Sequence, residues 1–344
     1  MSNTQKKNVP ELRFPEFEGE WEEKQLGNII KVNSGKDYKH LDKGDIPVYG
    51  TGGYMTSVSE PLSEIDAVGI GRKGTINKPY LLEAPFWTVD TLFYCTPKKE
   101  TDILFILSLF RKINWKVYDE STGVPSLSKQ TINKINRFVP TNKEQQKIGK
   151  FFSKLDRQIE LEEQKLELLQ QQKKGYMQKI FSQELRFKDE NGNDYPDWTN
   201  ERLGEVTTVT MGQSPKSVNY TDNSNDTVLI QGNADIENGL INPRIYTREV
   251  TKLIQKDEII LTVRAPVGKL AMAQINACIG RGVCSIKGDK FLYYFLEWFA
   301  TQNKWIRFSQ GSTFESISGN DIRNIHIKIP VEDERTKIIK LLNS

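Results

Sequence analysis

The sequence is poor in the residues that cross-linked, metal-bound or membrane-embedded proteins depend on. Its 344 residues include three cysteines, Cys95, Cys278 and Cys284, and two histidines, His40 and His326. An odd thiol count without ligand spacing argues against a disulfide framework and against a structural zinc site. It suits a reducing compartment, the cytoplasm. Long hydrophobic runs are missing as well. Residues 103–110 and 291–300 are the longest and are too short to span a bilayer, so no membrane partner is expected. Residues 1–8 are polar and lack the apolar centre of a signal peptide. Charge of one sign is scarce: 48 Lys and Arg offset 45 Asp and Glu, a net +3. Any nucleic-acid partner must therefore be held by local patches.

What the chain does have is repetition. Glu11-Leu12-Arg13-Phe14 returns as Glu184-Leu185-Arg186-Phe187, and Trp21 with Leu26-Gly27 returns as Trp198 with Leu203-Gly204. Ser126-Leu127-Ser128, Ile132 and Pro140 return as Ser316-Ile317-Ser318, Ile322 and Pro330. The separation is 177 at Leu26 and Leu203, 192 at Arg72 and Arg264, and 190 at Pro140 and Pro330. A period this long is no solenoid and implies two whole domains. Residues 25–100 and 203–290 alternate short apolar runs with Gly, Pro and Asn, the texture of strands and turns. Aromatic-aliphatic segments at 103–115 and 291–305 fit helices packed on those sheets. Residues 129–135 and 320–325 read as a second helical turn before a short strand, so each copy is expected to be an α+β domain.

Residues 141–182 differ in kind, with no proline and two glycines. Thr141 to Glu144 reads as a helix start with an acid in the first turn. Ile148, Phe152, Leu155, Ile159, Glu162, Leu166, Leu169, Lys173, Tyr176 and Ile180 recur at steps of four and three, and eight of the ten are apolar. That is a coiled-coil seam on a helix of roughly 60 Å, although a long amphipathic helix packed on its own domain is the alternative. The second copy starts the same helix with Glu334, Lys337 and Ile338, and the sequence stops at Ser344. The seam is thus expected to take its partner from another chain, unless this chain is a shortened relative of a longer one.

Catalytic signatures are weak. Gly69-Ile70-Gly71-Arg72-Lys73-Gly74 has dinucleotide-loop spacing, but Thr75-Ile76-Asn77-Lys78-Pro79 follows where a helix would have to open. Asn77-Lys78-Pro79-Tyr80 is better read as a turn than as a methyltransferase loop. No nucleophile elbow, phosphate loop or nuclease carboxylate cluster stands out, so a non-catalytic protein is expected.

Two divergent α+β copies, the motif Pro10-Glu11-Leu12-Arg13-Phe14-Pro15 with its echo at 184–204, residues 123–128 with their echo at 313–318, and the stretch from Pro140 to Ile148 leading into Phe152, Leu155 and Asp156 resemble the DNA-specificity subunit of type I restriction–modification systems. The resemblance covers the whole chain. It implies two target-recognition domains of mixed sheet and helix joined by a long coiled-coil-type helix. The divisions would be 1–140, 141–182, 183–330 and 331–344, the last being the start of a distal helix. It further implies double-stranded DNA as ligand, with each domain reading half of a split site. Two methyltransferase subunits and two motor-nuclease subunits would be partners, with S-adenosylmethionine, Mg and ATP belonging to those subunits. Half-sites on one face of DNA repeat about every 34 Å, a span that such a helix could bridge. An adaptor built on the coiled coil alone, or an enzyme in its own right, are the competing readings.

Candidate DNA contacts are polar residues in glycine-rich loops. Arg72 and Arg264 stand at matching places, each in a turn after a strand, where arginine can grip guanine or phosphate. Lys36, Tyr38, Lys39, Tyr54 and Lys73 surround the first. Gln213, Ser214, Lys216, Tyr220, Gln231, Asn233, Arg244, Lys269 and Arg281 surround the second. For each one alone, an ordinary surface role is an equal reading. The aromatics at 86–94 and 291–308 are assigned to domain cores.

Overall fold

The computed structural model describes residues 8–305 and 316–343. Positions 313–315 of the second echo and 306–308 of the aromatic segment lie outside the described residues. The chain forms two compact units, Met1–Gln164 and Lys165–Ser344.

The first unit contains β1 (Glu22–Gln25), α1 (Leu26–Ile29), β2 (Ile30–Ser34), β3 (Ile46–Gly50), β4 (Gly53–Val58), β5 (Ala67–Gly71), β6 (Tyr80–Leu82), β7 (Trp87–Thr88), β8 (Leu92–Pro97), α2 (Ile103–Lys112), α3 (Lys129–Lys134) and β9 (Asn136–Val139). Helix α4 (Asn142–Phe181) begins there and ends in the second unit. That unit continues with β10 (Thr199–Arg202), α5 (Leu203–Val206), β11 (Val209–Met211), β12 (Tyr220–Thr221), β13 (Thr227–Ile230), β14 (Ile236–Glu237), β15 (Leu240–Ile241), β16 (Tyr246–Thr247), β17 (Leu253–Ile254) and β18 (Ile259–Thr262). It closes with β19 (Leu270–Met272), β20 (Ala277–Ile279), β21 (Val283–Ile286), α6 (Lys290–Thr301), α7 (Gly319–Arg323), β22 (His326–Ile329) and α8 (Glu332–Asn343).

The sheets repeat the duplication. The first unit has sheets ordered β2-β8-β5-β6, β4-β3-β7 and β1-β9. The second has β11-β21-β18-β19-β15-β14, β12-β16-β13-β20-β17 and β10-β22. Central strand β5 is buried at every position because both its faces are covered. Val68 and Ile70 pack with Phe105 and Phe110 of α2, and Ala67 packs with Leu82, Phe86 and Leu92. β18 is buried in the same way, with Ile259 and Leu261 in the cluster containing α6 and Ile260 in a second cluster. A strand covered on both faces keeps no polar side, which is why Gly69 to Gly71 sit in a buried strand and open no phosphate loop.

The repeated Ser-apolar-Ser motif also has a physical content. Leu127 and Ile317 are buried, and the following serines cap short helices: Ser128 Oγ accepts from Thr131 N at 3.1 Å and Ser318 Oγ from Asp321 N at 3.2 Å. Asp102 and Asp289 cap α2 and α6 in the same manner. All three cysteines are free and buried, and burial pushes the Cys284 thiol up to about 12.

Each unit is locked by one buried carboxylate. Glu144, in the first turn of α4, accepts from Arg13 Nε at 2.8 Å, Arg13 Nη2 at 2.7 Å and Trp21 Nε1 at 3.1 Å. Glu334, in the first turn of α8, accepts from Arg186 Nε at 2.8 Å, Arg186 Nη2 at 2.9 Å and Trp198 Nε1 at 2.9 Å. Both glutamates are essentially inaccessible to water. Removing the carboxylate takes the bidentate ionic partner from the guanidinium, which keeps backbone carbonyls, and leaves the indole N–H without its acceptor. Glu334→Ala should therefore cost the full chain about 3–5 kcal/mol in urea unfolding. A loss below about 1 kcal/mol, the scale of a surface pair, would show that the clamp is incidental.

Candidate nucleic-acid interface

In each unit the loops carrying the candidate residues gather round one tight turn that leads into a central strand. Five backbone hydrogen bonds define it, and each has a counterpart in the other copy. Gly35 N donates to Leu92 O at 3.1 Å, and Gly212 N to Val283 O at 3.0 Å. Lys36 N donates to Thr88 O at 2.8 Å, and Gln213 N to Ile279 O at 2.9 Å. Arg72 N donates to Thr91 O at 2.8 Å, and Val263 N to Gly282 O at 2.9 Å. Val89 N donates to Tyr49 O at 3.0 Å, and Gly280 N to Ile230 O at 2.8 Å. The turn itself closes through Leu92 N to Val89 O at 3.0 Å and Val283 N to Gly280 O at 3.2 Å. Gly35 and Gly212 have to be glycine here: a Cβ would lie 2.0 Å from Val89 O or 2.2 Å from Gly280 O.

These bonds match the copies residue by residue. Lys36 corresponds to Gln213, the Val89–Thr91 turn to Gly280–Gly282, and Arg72 to Val263. Arg264 is thus the counterpart of Lys73, one residue away from the expected Arg72 partner. The pairing confirms the register: Leu127 N donates to Arg72 O and Ile317 N to Val263 O, while Lys73 bridges Ser126 and Arg264 bridges Ser316. Matching the two arginines by letter would slip the strand by one residue and turn every side chain to the opposite face.

Around the first turn stand exposed Lys36, Arg72 and Lys73. The Arg72 guanidinium lies 5.9 Å from the Phe93 ring centre and donates weakly to Asp90 O at 3.4 Å. Tyr54, largely exposed, projects from the β3–β4 hairpin with its hydroxyl 3.1 Å from Ser57 Oγ, and Lys39 is exposed beyond β2. Tyr38 is half-buried against the cluster of Val48, Val58 and Trp87, so most of its ring supports the loop. Next to Lys73, Gly74 N donates to Pro125 O at 2.8 Å. The N–H groups of Ser126 and Ser121 hold the nearby Asp119 carboxyl below its usual range, which fixes that loop.

The second turn gathers Gln213, Ser214, Gln231, Arg264 and Arg281. Ser214 Oγ is taken by the Arg281 N–H at 3.1 Å, and Asp235 Oδ2 receives the N–H of Gln231 at 2.8 Å. Arg244 stands 3.9 Å from the buried Asp235. Lys269 donates through Nζ to Asn233 O at 3.2 Å and Ile236 O at 2.6 Å, tying down the loop that holds Asn233. Tyr220 belongs to the neighbouring β12–β16 edge, and Lys216 precedes the turn that leads into it. There Glu249, held below the usual carboxylate range by Lys216 N and the Asn219 amide, fixes the strand entrance. The bond-by-bond match gives Asp90 the position in the first copy that Arg281 holds in the second.

Along α4, Phe152, Leu155, Ile159, Leu166, Leu169 and Tyr176 are exposed, from 38% at Leu155 to 58% at Ile159. Two ends of the expected seam are corrected. Ile180 is fully buried with Met177 and Phe181 in the second unit's core, and Ile148 packs against the first unit's core. Heptad spacing does not distinguish a seam from a helix end that docks on its own domain. Among the described residues no helix is long and apolar enough to cross a membrane, and no cluster of His, Cys, Asp or Glu could hold a metal ion.

The profile of the type I restriction modification DNA specificity domain matches residues 18–171 and again 195–344. The chain belongs to that family. It is 30% identical over 257 residues to a Methanocaldococcus jannaschii protein named as the MjaX type I restriction enzyme specificity subunit, covering 70% of this chain and 60% of that one. It is 25% identical over 308 residues to the MjaVIII specificity subunit of the same organism, covering 82% and 70%. The chain thus spans about 60% of the length of the first of these relatives. Among solved structures, the S subunit of a type I restriction–modification system from M. genitalium aligns with a TM-score of 0.67 at 16% identity, covering 97% of this chain and 92% of that chain. A chain from a structural study of type I R-M complex assembly aligns with a TM-score of 0.54 at 20% identity, covering 97% and 91%. These two share the fold.

Arg72 offers a direct test of the loops around the first turn. Arg72→Ala should weaken binding to duplexes that carry one half of the recognised site by about 5- to 150-fold, the worth of one bidentate arginine contact, while sparing substitutions in the other half. Competition gel shifts with half-site variants would measure it. Equal loss on specific and random duplex would assign Arg72 to phosphate.

Proposed function

We propose that this chain is the DNA-recognition subunit of a type I restriction–modification assembly, acting without catalysis of its own. Each α+β unit reads one half of a bipartite duplex site. Methyltransferase subunits then modify adenine there, and motor-nuclease subunits join for cleavage. S-adenosylmethionine, Mg and ATP belong to those partners. The observation that carries the reading is one loop scaffold, built twice with the same backbone bonds and holding different polar side chains at matched positions. A binding protein that reads two unlike half-sites requires that combination; an adaptor does not. Family membership over both copies supports it. The open apolar stripe of α4, between Phe152 and Tyr176, is read as the seat of a helix from a partner polypeptide.

The test is co-expression with the methyltransferase partner in a host free of adenine methylation, followed by genome-wide mapping of N6-methyladenine. A single split motif is the expected result. A palindromic motif would mean that one domain is used twice through dimerisation. Absence of methylation together with absence of specific duplex binding would overturn the reading.

A further inference from the structure

The matched turns differ most sharply at their crowns. Asp90 lies between Val89 and Thr91, Arg281 lies between Gly280 and Gly282, and the five shared backbone bonds put the two at the same position of the scaffold. Building on the reading of the chain as a DNA-recognition subunit, we propose that Asp90 and Arg281 are specificity-determining residues. Their half-sites would then present opposite hydrogen-bond polarity to the two crowns.

The backbone beneath each crown is pinned. Val89 N and Gly280 N are bonded to the neighbouring sheet, and the Arg281 N–H is held by Ser214 Oγ. A Cβ on Gly282 would lie 2.0 Å from Gln231 O, so the chain there can project only the arginine. Both side chains are exposed, and among the described residues neither the Asp90 carboxylate nor the Arg281 guanidinium has a side-chain partner. They are an acceptor and a donor carried on a pinned backbone.

The sign of each charge selects its ligand. Asp90 sits beside Lys36 and Lys73, whose backbone N–H groups bond to Thr88 O and Thr91 O, and their ammonium groups suit the phosphate backbone. A carboxylate in that company repels phosphate and is favourable only against a hydrogen-bond donor. On a base edge in the major groove that donor is the amino group of cytosine or adenine. Arg281 has the opposite requirement, and its forked donors fit the O6 and N7 acceptors of guanine.

The experiment repeats the methylation mapping with the full chain, its methyltransferase partner and the variants Asp90→Ala, Asp90→Arg and Arg281→Ala. Since both side chains are exposed and unpaired, thermal midpoints should not change. Arg281→Ala should reduce the preference for guanine at one position of one half-site at least about tenfold, leaving the other half-site intact. Asp90→Ala should relax a cytosine or adenine at one position of the opposite half-site, and Asp90→Arg should favour guanine there. A wild-type split motif that all three variants retain, even with methylation uniformly reduced, would overturn this inference while leaving the subunit reading in place. A wild-type complex that yields no split motif and binds no specific duplex would overturn both.

Discussion

The fold of each unit depends on a carboxylate that water cannot reach. Glu144 and Glu334 each join three separate parts of the chain: the opening Glu-Leu-Arg-Phe motif, the tryptophan ahead of the first strand, and the first turn of the helix that leaves the last strand. A buried charge of this kind is costly unless every acceptor position is used, and here a bidentate arginine and an indole N–H use them. The helix N-terminus adds a favourable field. The start of each unit is thereby tied to its end. Helix α4 leaves the first unit with its direction set by that tie, and Gly149 allows it to pass close to α2, where a Cβ would lie 2.6 Å from Asp102 Oδ1. The second copy keeps the clamp but alters its neighbour. Gln145 accepts from Asp102 N in one unit, while Arg335 pairs with Asp289 at 2.7 Å in the other.

Above this closure the proposed recognition face follows a different rule. Backbone bonds hold its shape, and only the side chains differ between copies. Lys36 corresponds to Gln213, Lys73 to Arg264 and Asp90 to Arg281 on frames that agree in five hydrogen bonds. Gly35 and Gly212 cannot change, because each passes within contact distance of a carbonyl. Two such faces on one polypeptide also change the arithmetic of binding. Under the proposed function, once one half-site is held the second encounter is intramolecular, so two contacts of modest strength would give a tight complex only on DNA that satisfies both.

The duplication, the α+β character and the 40-residue helix were legible in the sequence, because periodicity, turn residues and the absence of proline are local signals. The repeated serines and arginines were visible as letters while their tasks were not. Ser128 and Ser318 proved to be caps, and Glu144, readable as a first-turn acid, proved to be the acceptor for Arg13 and Trp21. The candidate site was only partly legible. The arginine match between the copies was off by one residue, since identity of letter carries no information on strand register. Lys269, placed among the candidate contacts by its loop, holds two carbonyls, which no local signal announced. Asp90 carried no signal at all, because its meaning lies in what occupies the same place in the other copy.

That division of labour explains how one chain can keep two copies of a fold while letting their surfaces drift apart. A change at Glu334 removes the buried acceptor of the Trp198 indole and the bidentate partner of Arg186, and a Cβ at Gly212 would meet the Gly280 carbonyl, so the cost falls on folding. A change at Asp90 or Arg281 strikes an exposed side chain that no contact in its own unit requires, and surface substitutions of that kind usually stay within about 0.5 kcal/mol. Selection on folding is therefore almost blind to the crowns and severe at the clamps. The positions free to diverge are the ones that face outward from a rigid frame, and on such a frame a single side chain is enough to exchange a hydrogen-bond acceptor for a donor.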